Sequence, residues 1–527
     1  MENNDFFAYS FLIKIKDFFK KNKDIIITTF IVGLIAHAYC FFNYLPTWDS
    51  VINTQTVGAT FSSGRWLLKY AGMIFSDYSL SWINGIVSLL FIGLSVIMLA
   101  EVFDIKNSIY RSLVAALFVT FPAVTSTFTF IFTADCYMMA FFLVTAAVYV
   151  CHKYTKWGFV PAMILLACSI GIYQAYLSVF LVAVTILIIF DTSLSDIKFS
   201  ELVKKYYKYI IAFIGGFVLY EVALKLFLAV KGIELSSYQG INDTGVLPPK
   251  EMIRAFAVNI LNLLNLYGID LFDLNGRSIK IGLYSVICLL LLLAMLVLTI
   301  TVIIKKQLYK KPAKIFLLIF EFFAMFIFAF VLRYTTVNIG YSAIMEMSVC
   351  LFYIIQIVFL LRLPSDSKAS KVIKSITLTA FCILIVYNSV SSNVNYFYMH
   401  LRYERSYATA QNVINDIRES VNFDSQKNKV AVIGADYKTS ENTWNDTLPT
   451  IRGSEDADTV LISQNHYIKF WHYFLGIDVN EASESEANEI SKTDEFKNMP
   501  SYPNKGYIKE INGIIVAKIS DKTPGKF

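Results

Sequence analysis

Long apolar runs bounded by short polar or basic stretches recur along the chain, near residues 25–43, 82–101, 112–131, 135–151, 159–171, 173–190, 209–228, 281–304, 315–332, 342–361 and 375–391. Several approach or exceed the roughly 20 residues a helix needs to cross the hydrocarbon core. A helix bonds its own backbone groups in lipid, so the pattern predicts a polytopic α-helical membrane protein with about 11 transmembrane helices. The stretch 159–190 reads either as one long tilted helix or as two short ones, and the choice reverses the orientation of everything after it. Composition supports the class: 56% hydrophobic and 16% charged residues, with a mean hydropathy of +0.55, against about 25% charged in soluble domains.

Basic residues settle the orientation, because Lys and Arg collect in short cytoplasmic loops. With two helices in 159–190, the cytoplasmic segments are the N-terminus, "DIKNSIYR", "CHKYTKWG", "DTSLSDIKFSELVKKYYK", "KKQLYKKPAK" and "RLPSDSKASKVIK", carrying 22 Lys and Arg. The outer loops before the last span carry 8, namely Arg65, Lys69, Lys231, Lys250, Arg254, Arg277, Lys280 and Arg333. The N-terminus is therefore expected inside and the C-terminus outside. The N-terminal "MENNDFFAYSFLIKIKDFFKKNKD" reads as a charged amphipathic lead, since no short apolar core with a small-residue cleavage site follows it. The formal net charge of +6 is mostly this cytoplasmic excess, and it points to anionic lipid rather than nucleic acid. All seven cysteines fall in or beside apolar runs without metal-type spacing and read as small core residues.

This topology divides the chain into a membrane domain, 1–391, with outer loops at 44–81 and 229–280, and an extracytoplasmic tail, 392–527. In the second loop Pro248 and Pro249 precede apolar residues at helical spacing, predicting a helix at the interface. In the tail "YERSYATAQNVINDIRESV" reads as a helix, and "KVAVIG", "TVLISQ" and "GIIVAKIS" read as strands, predicting a small C-terminal α/β domain that braces or covers the membrane site. His466 and His472 stand six apart, which does not place them on one helix face as a metal pair.

Ionisable groups at a membrane are expensive and each needs a reason. Asp49 follows the first run, Arg65 lies on the same loop in "TWDSVINTQTVGATFSSGRW", Asp135 opens a later run in "FTADCYMM", and Arg333 closes another in "FVLRYTT". All four are expected at outer helix ends. Two acids facing two bases suit transfer from a phosphate-bearing lipid: a carboxylate takes a proton from an acceptor hydroxyl while arginine neutralises the departing phosphate. Structural roles compete: a loop ion pair for Asp49 and Arg65, and a helix-end salt bridge for Asp135 and Arg333. Glu346 is a potential partner for Arg333 or a tyrosine, and Glu221 with Lys225 has the spacing of an intrahelical pair. Tyr173 and Gln174 in "GIYQAY" sit at a tight turn, either to bond a sugar hydroxyl or to serve the interfacial belt and the turn itself.

"WDS" followed by "SGRW", then "FP" with "FTADCYMMAF", "GIYQAYLSVFL" and the tail's "NMPSYPNKGYIKEINGIIVAKI" occur in an order that resembles the GtrII-type glucosyltransferases, GT-C-like enzymes of bacterial surface-polysaccharide modification. The resemblance extends over nearly the whole chain. It implies an inverting glycosyltransferase of the cytoplasmic membrane that moves a hexose, usually glucose, from a polyprenyl-phosphate carrier to a surface polysaccharide or lipid-linked glycan. It places the essential acid of the first outer loop at Asp49 and a second acid at Asp135. Arg333 and Arg65 are then expected to hold the carrier phosphate, and Tyr173, Gln174, Trp48 and Trp66 to contact donor sugar or acceptor. The paired acids of many GT-C first loops are reduced here to Asp49 beside Ser50; one carboxylate makes a poor site for a hard divalent ion, so a divalent metal stays an open alternative and no other cofactor is assigned. Two other functions keep the same membrane architecture: a lipid-linked sugar flippase, which would carry charge along a midplane path, and an O-antigen-type polymerase, which would rely mainly on outer-loop arginines.

Overall fold

The structure, a computed structural model, describes residues 13–75, 77–154, 156–237, 241–242, 245, 247–266, 282–336, 342–363, 367–420, 423–424, 427–435 and 459–521. Arg277 and Lys280 lie outside them. In chain order the helices up to the tail are α1 (Lys23–Phe42), α2 (Trp48–Ile52), α3 (Leu68–Phe75), α4 (Ser81–Val102), α5 (Ser108–Val119), α6 (Pro122–Thr129), α7 (Ile131–Lys153), α8 (Phe159–Ile172), α9 (Leu177–Leu194), α10 (Phe199–Lys231), α11 (Pro249–Leu266), α12 (Leu283–Lys305), α13 (Pro312–Ala329), α14 (Phe352–Arg362) and α15 (Lys368–Ser420).

Among the described residues, α1, α4, α7, α9, α10, α12, α13 and α15 are long and apolar enough to cross a membrane, and α5 with α6, bent by 42°, makes a ninth candidate. Two further apolar helices, α8 and the stretch Met347–Arg362 that ends in α14, are shorter. The eleven apolar runs of the sequence thus fall on eight full-length helices, one bent pair and two short helices. The run 112–131 is not one straight helix. Pro122 opens α6 at its first turn, where its missing N–H costs nothing, and the chain turns there. The run 159–190 is two helices, because Tyr173 adopts an extended conformation (φ −151°, ψ 108°) that ends α8 before a 3-10 turn at Gln174–Tyr176.

Helices α1, α4, α7, α8 and α10 pack as successive neighbours, with α9 on α13 and α15 on α1 and α12. Where α5 meets α1, the guanidinium of Arg111 bonds Asp24 at 2.7 Å and Asn22 at 2.6 Å. Both charged side chains are nearly buried, so removing one partner leaves the other unpaired, which typically costs 3–5 kcal/mol. At the other end of α1, His37 joins Tyr396 of α15 (2.8 Å) and the Val119 carbonyl of α5 (2.8 Å). Glu221 and Lys225 are not joined by an ion pair among the described residues; both project from α10 with partial or full exposure.

The second loop carries the expected helix, α11, beginning at Pro249. Helix α15 runs for 53 residues through position 391 without a break. At 1.5 Å per residue this is about 80 Å, far more than the roughly 30 Å of a hydrocarbon core, so its C-terminal half enters the tail's fold. There follow β1 (Lys429–Ile433), α16 (Gln464–Phe470), β2 (Asn480–Glu481), α17 (Glu484–Lys492), α18 (Asp494–Lys497), β3 (Ile508–Ile511) and β4 (Ile514–Lys518), with sheet order β2-β1-β4-β3. Strand β1 pairs parallel with β2 and β4, and β3 pairs antiparallel with β4. Side chains alternate across the sheet: Val430 and Val432 pack with Val413 and Ile414 of α15, while Ala431 and Ile433 pack with Ile490 and Phe496. "TVLISQ" is not a strand. Its Val460 and Leu461 amides bond the hydroxyls of Ser406 and Thr459 instead of a neighbouring strand.

Candidate active site

Just after α1 the chain turns at Leu45–Thr47 and forms the short helix α2, capped by Thr47, whose hydroxyl accepts the Ser50 amide at 3.3 Å. Asp49 lies in its first turn, half-buried. One helical turn on, Asn53 donates its side-chain N–H to Asp49 Oδ1 at 2.7 Å. Loss of hydration raises the Asp49 carboxyl to about 6, and the positive charge of Arg65 and the Asn53 bond draw it partly back. Among the described residues no ion pair joins Asp49 directly to Arg65, and the guanidinium acts on the carboxylate through space.

Arg65 is held by aromatic rings. It donates from Nη1 to the Tyr137 hydroxyl at 2.9 Å, and its guanidinium lies 5.8 Å from the Tyr137 ring centroid and 5.4 Å from that of Tyr173. Those two rings stack at 4.2 Å. Such a platform fixes a planar cation without neutralising it. The backbone leading into Arg65 is clamped as well. Gln174 donates to the Ser63 carbonyl at 2.8 Å, and the Tyr220 hydroxyl donates to the Gly64 carbonyl at 3.1 Å. Gly64 sits at φ +74°, and a Cβ there would come within 2.7 Å of Gln174 Nε2 and 2.9 Å of the Tyr220 oxygen. Gly64→Ala is accordingly expected to cost about 1–2 kcal/mol from the left-handed conformation alone. It should also displace the clamp; thermal unfolding in detergent would show a lowered Tm, and ligand turnover should fall with it.

The sequence assigned Trp66, Tyr173 and Gln174 to substrate. The structure gives each a prior engagement. The Trp66 indole stacks on Phe227 at 5.6 Å and closes on Gly171, where a Cβ would meet it at 2.6 Å. Tyr173 forms the floor under Arg65, and Gln174 secures the turn before it. Trp48 faces the tail, its ring 6.3 Å from that of His466.

Among the described residues, no hydrogen bond or ion pair joins Asp135 or Arg333 to Asp49 and Arg65. Asp135 is 1% exposed and its Oδ2 has no partner among the described residues. It lies two residues before Tyr137 on α7, and two residues turn a helix by about 200°, so it points away from the Arg65–Tyr137 contact. Among the described residues it makes no salt bridge with Arg333. Arg333 sits in the 3-10 turn Val331–Tyr334, which packs on α11. Glu346 is buried between the 3-10 turns Ala343–Met345 and Met347–Leu351. Among the described residues no group of three or more His, Cys, Asp or Glu is arranged to hold a metal ion.

Three residues of the site escaped the sequence reading. Tyr137 stands two places after Asp135, and Asn53 stands four after Asp49, a spacing that puts them on one helix face. Tyr220 had no signal beyond an aromatic in an apolar run. The assembled site offers a carboxylate that burial raises to about 6 and an arginine held on aromatic rings. Such a set can take a proton from a hydroxyl and stabilise an anion.

No curated protein and no solved structure matches the chain. The family model described as Glucosyl transferase GtrII matches residues 38–361, more than half of the chain. The match contains Asp49, Arg65, Asp135 and Arg333 and does not extend to the tail. On that match, joined to the membrane architecture, the chain belongs to the Glucosyl transferase GtrII family.

Proposed function

We propose that this protein is a GT-C-like transferase with eleven membrane crossings that moves glucose from a polyprenyl-phosphate carrier to a surface polysaccharide or lipid-linked glycan at the outer face of the bacterial cytoplasmic membrane. The observation that carries the reading is the placement of Asp49 and Arg65 on one loop, near enough for the arginine's charge to act on the carboxylate, inside the region matched by the glucosyltransferase family.

In this reading the acceptor hydroxyl gives its proton to Asp49 as its oxygen bonds to C1 of the sugar. The bond from C1 to the phosphate oxygen breaks on the opposite face, with inversion. The phosphate leaves as polyprenyl phosphate, and Arg65 offsets the charge it gains; Arg333 is a second candidate for that anion. A phosphate leaving group needs no general acid, so this reading gives the buried Asp135 no proton-transfer step. The arginine placed on the tyrosine platform is pre-organised, which is where electrostatic stabilisation of a departing anion is most effective.

The test is to supply purified protein in detergent with polyprenyl-phosphate glucose and a glycan acceptor. Release of free polyprenyl phosphate together with a glucosylated acceptor supports the reading, and movement of intact donor across a bilayer without release supports the flippase instead. The pH profile is a second expected outcome. Asp49 must be ionised to accept a proton, and its carboxyl is raised to about 6. Turnover should therefore be full above that pH and fall as pH drops through about 6, rather than near 4 where an ordinary aspartate titrates.

A further inference from the structure

We propose that the C-terminal domain positions Asp49, because the helix that carries this residue is packed into the domain's hydrophobic core. This rests on the function proposed above and assigns the tail a part in it beyond covering the site.

Val51 is fully buried and belongs to the same apolar cluster as Val413 and Ile414 of α15, Val430 of β1 and Trp471 after α16. A residue of the loop after α1 is thus a core residue of the tail. Two residues apart on a helix are about 200° apart, so while Val51 points into the tail, Asp49 is turned away from it. Trp48, three residues before Val51, falls on the Val51 side, and its ring lies 6.3 Å from His466. The segment is anchored upstream as well, where Tyr44 packs edge-on to Tyr403 at 6.5 Å and against Phe474 at 5.8 Å. Three side chains, Tyr44, Trp48 and Val51, therefore hold residues 44–51 on the tail and leave Asp49 turned away from it.

His466 is 5% exposed, bonds Ser463 through Nδ1 at 2.8 Å, and burial lowers its basicity to about 4, so it is a neutral brace at ordinary pH. Among the described residues, the charged or titratable groups that act on Asp49 are Arg65 of its own loop and Tyr137 of α7. Seating α2 in the tail keeps the carboxylate poorly hydrated between them. If α2 were released, water would reach Asp49 and its carboxyl would fall toward the ordinary range.

The experiment uses the full-length protein in detergent and two substitutions, Val51→Ala and His466→Ala, with Val51→Ile as the conservative variant. Hydrogen exchange of the amides in 47–53 is measured by mass spectrometry, and glucosyl transfer is measured against pH. The expected result is exchange in 47–53 at least tenfold faster in Val51→Ala. Alongside it, kcat should fall tenfold or more at unchanged donor KM, and the acid limb should move below 6, with Val51→Ile close to the parent in each. His466→Ala should change the same readouts in the same direction by a smaller factor, and it carries the test where Val51→Ala does not fold. Unchanged exchange overturns the inference, as does faster exchange with an unmoved acid limb and kcat. Failure of the proposed function is distinguishable, because it appears as an absence of transfer in the parent protein while the exchange readout does not depend on turnover.

Discussion

Asp49→Asn is expected to lower glucosyl transfer by about 10²–10⁴-fold, the usual contribution of a positioned general base, without destabilising the fold. The second half of that expectation separates catalysis from structure. Asp49 has a carboxyl raised in the folded state above its ordinary value. An acid of that kind is more easily kept neutral when folded, so above about pH 6 its ionised form is a burden on stability, and below about pH 4 that burden is gone. Asn removes the charge and can still accept the Asn53 N–H that now reaches Oδ1 at 2.7 Å. The Tm at pH 7 should therefore stay level or rise while kcat collapses, with donor KM little changed. Thermal unfolding and steady-state kinetics on the same preparation check both. A variant that keeps near-normal turnover would remove Asp49 from the mechanism, and one that loses Tm and turnover together would make it a structural residue.

Arg65→Gln is the second large effect. Removing an electrostatic donor to a developing anion typically costs about 10²–10³-fold in rate, and here a second consequence is coupled to the first. The Arg65 charge is what lowers the Asp49 carboxyl against burial, so its loss should raise that group further and move the acid limb of the pH profile above 6. Arg65→Lys should rescue little. An ammonium has no planar face to lie on the stacked Tyr137 and Tyr173 rings, 5.8 and 5.4 Å from the guanidinium. A rate loss in Arg65→Gln with an unmoved acid limb would show that the two groups act independently. An unchanged rate would take Arg65 out of the anion site and leave Arg333 as its candidate.

Asp49 and Arg65 were legible because a charge beside a long apolar run is conspicuous, and their short separation in sequence kept them on one loop. The helix break at Tyr173 was legible only through the basic loops, whose distribution required two helices rather than one. The hairpin of β3 and β4 carried a local signal that the strand reading passed over: Asn512 and Gly513, with φ of 53° and 77°, form the two-residue turn that Asn-Gly favours. "TVLISQ" misled in the opposite direction, since an apolar β-branched stretch fits a buried extended segment as well as a paired strand. What separates the two is whether a neighbouring strand is available, and Ser406 on α15 stands there instead.

By itself the sequence determined the solvent this protein lives in, nearly all of its helices, and the short set of charged residues that needed explaining. These depend on composition and on periodicity over 10–20 neighbouring positions, which a chain displays without folding. Only the tertiary structure decided which of those residues meet. Arg65 reaches Tyr137 across 72 positions and Gln174 reaches Ser63 across 111, while Asp135, two places from Tyr137, is turned away by the helix. The tertiary structure also decided that Val51 would serve the core of a domain that begins more than 300 positions later. An apolar run reports that a helix is buried in lipid or protein but not which azimuth it presents to which neighbour. That is fixed by side-chain packing between distant segments, and the chemistry of the site depends on it.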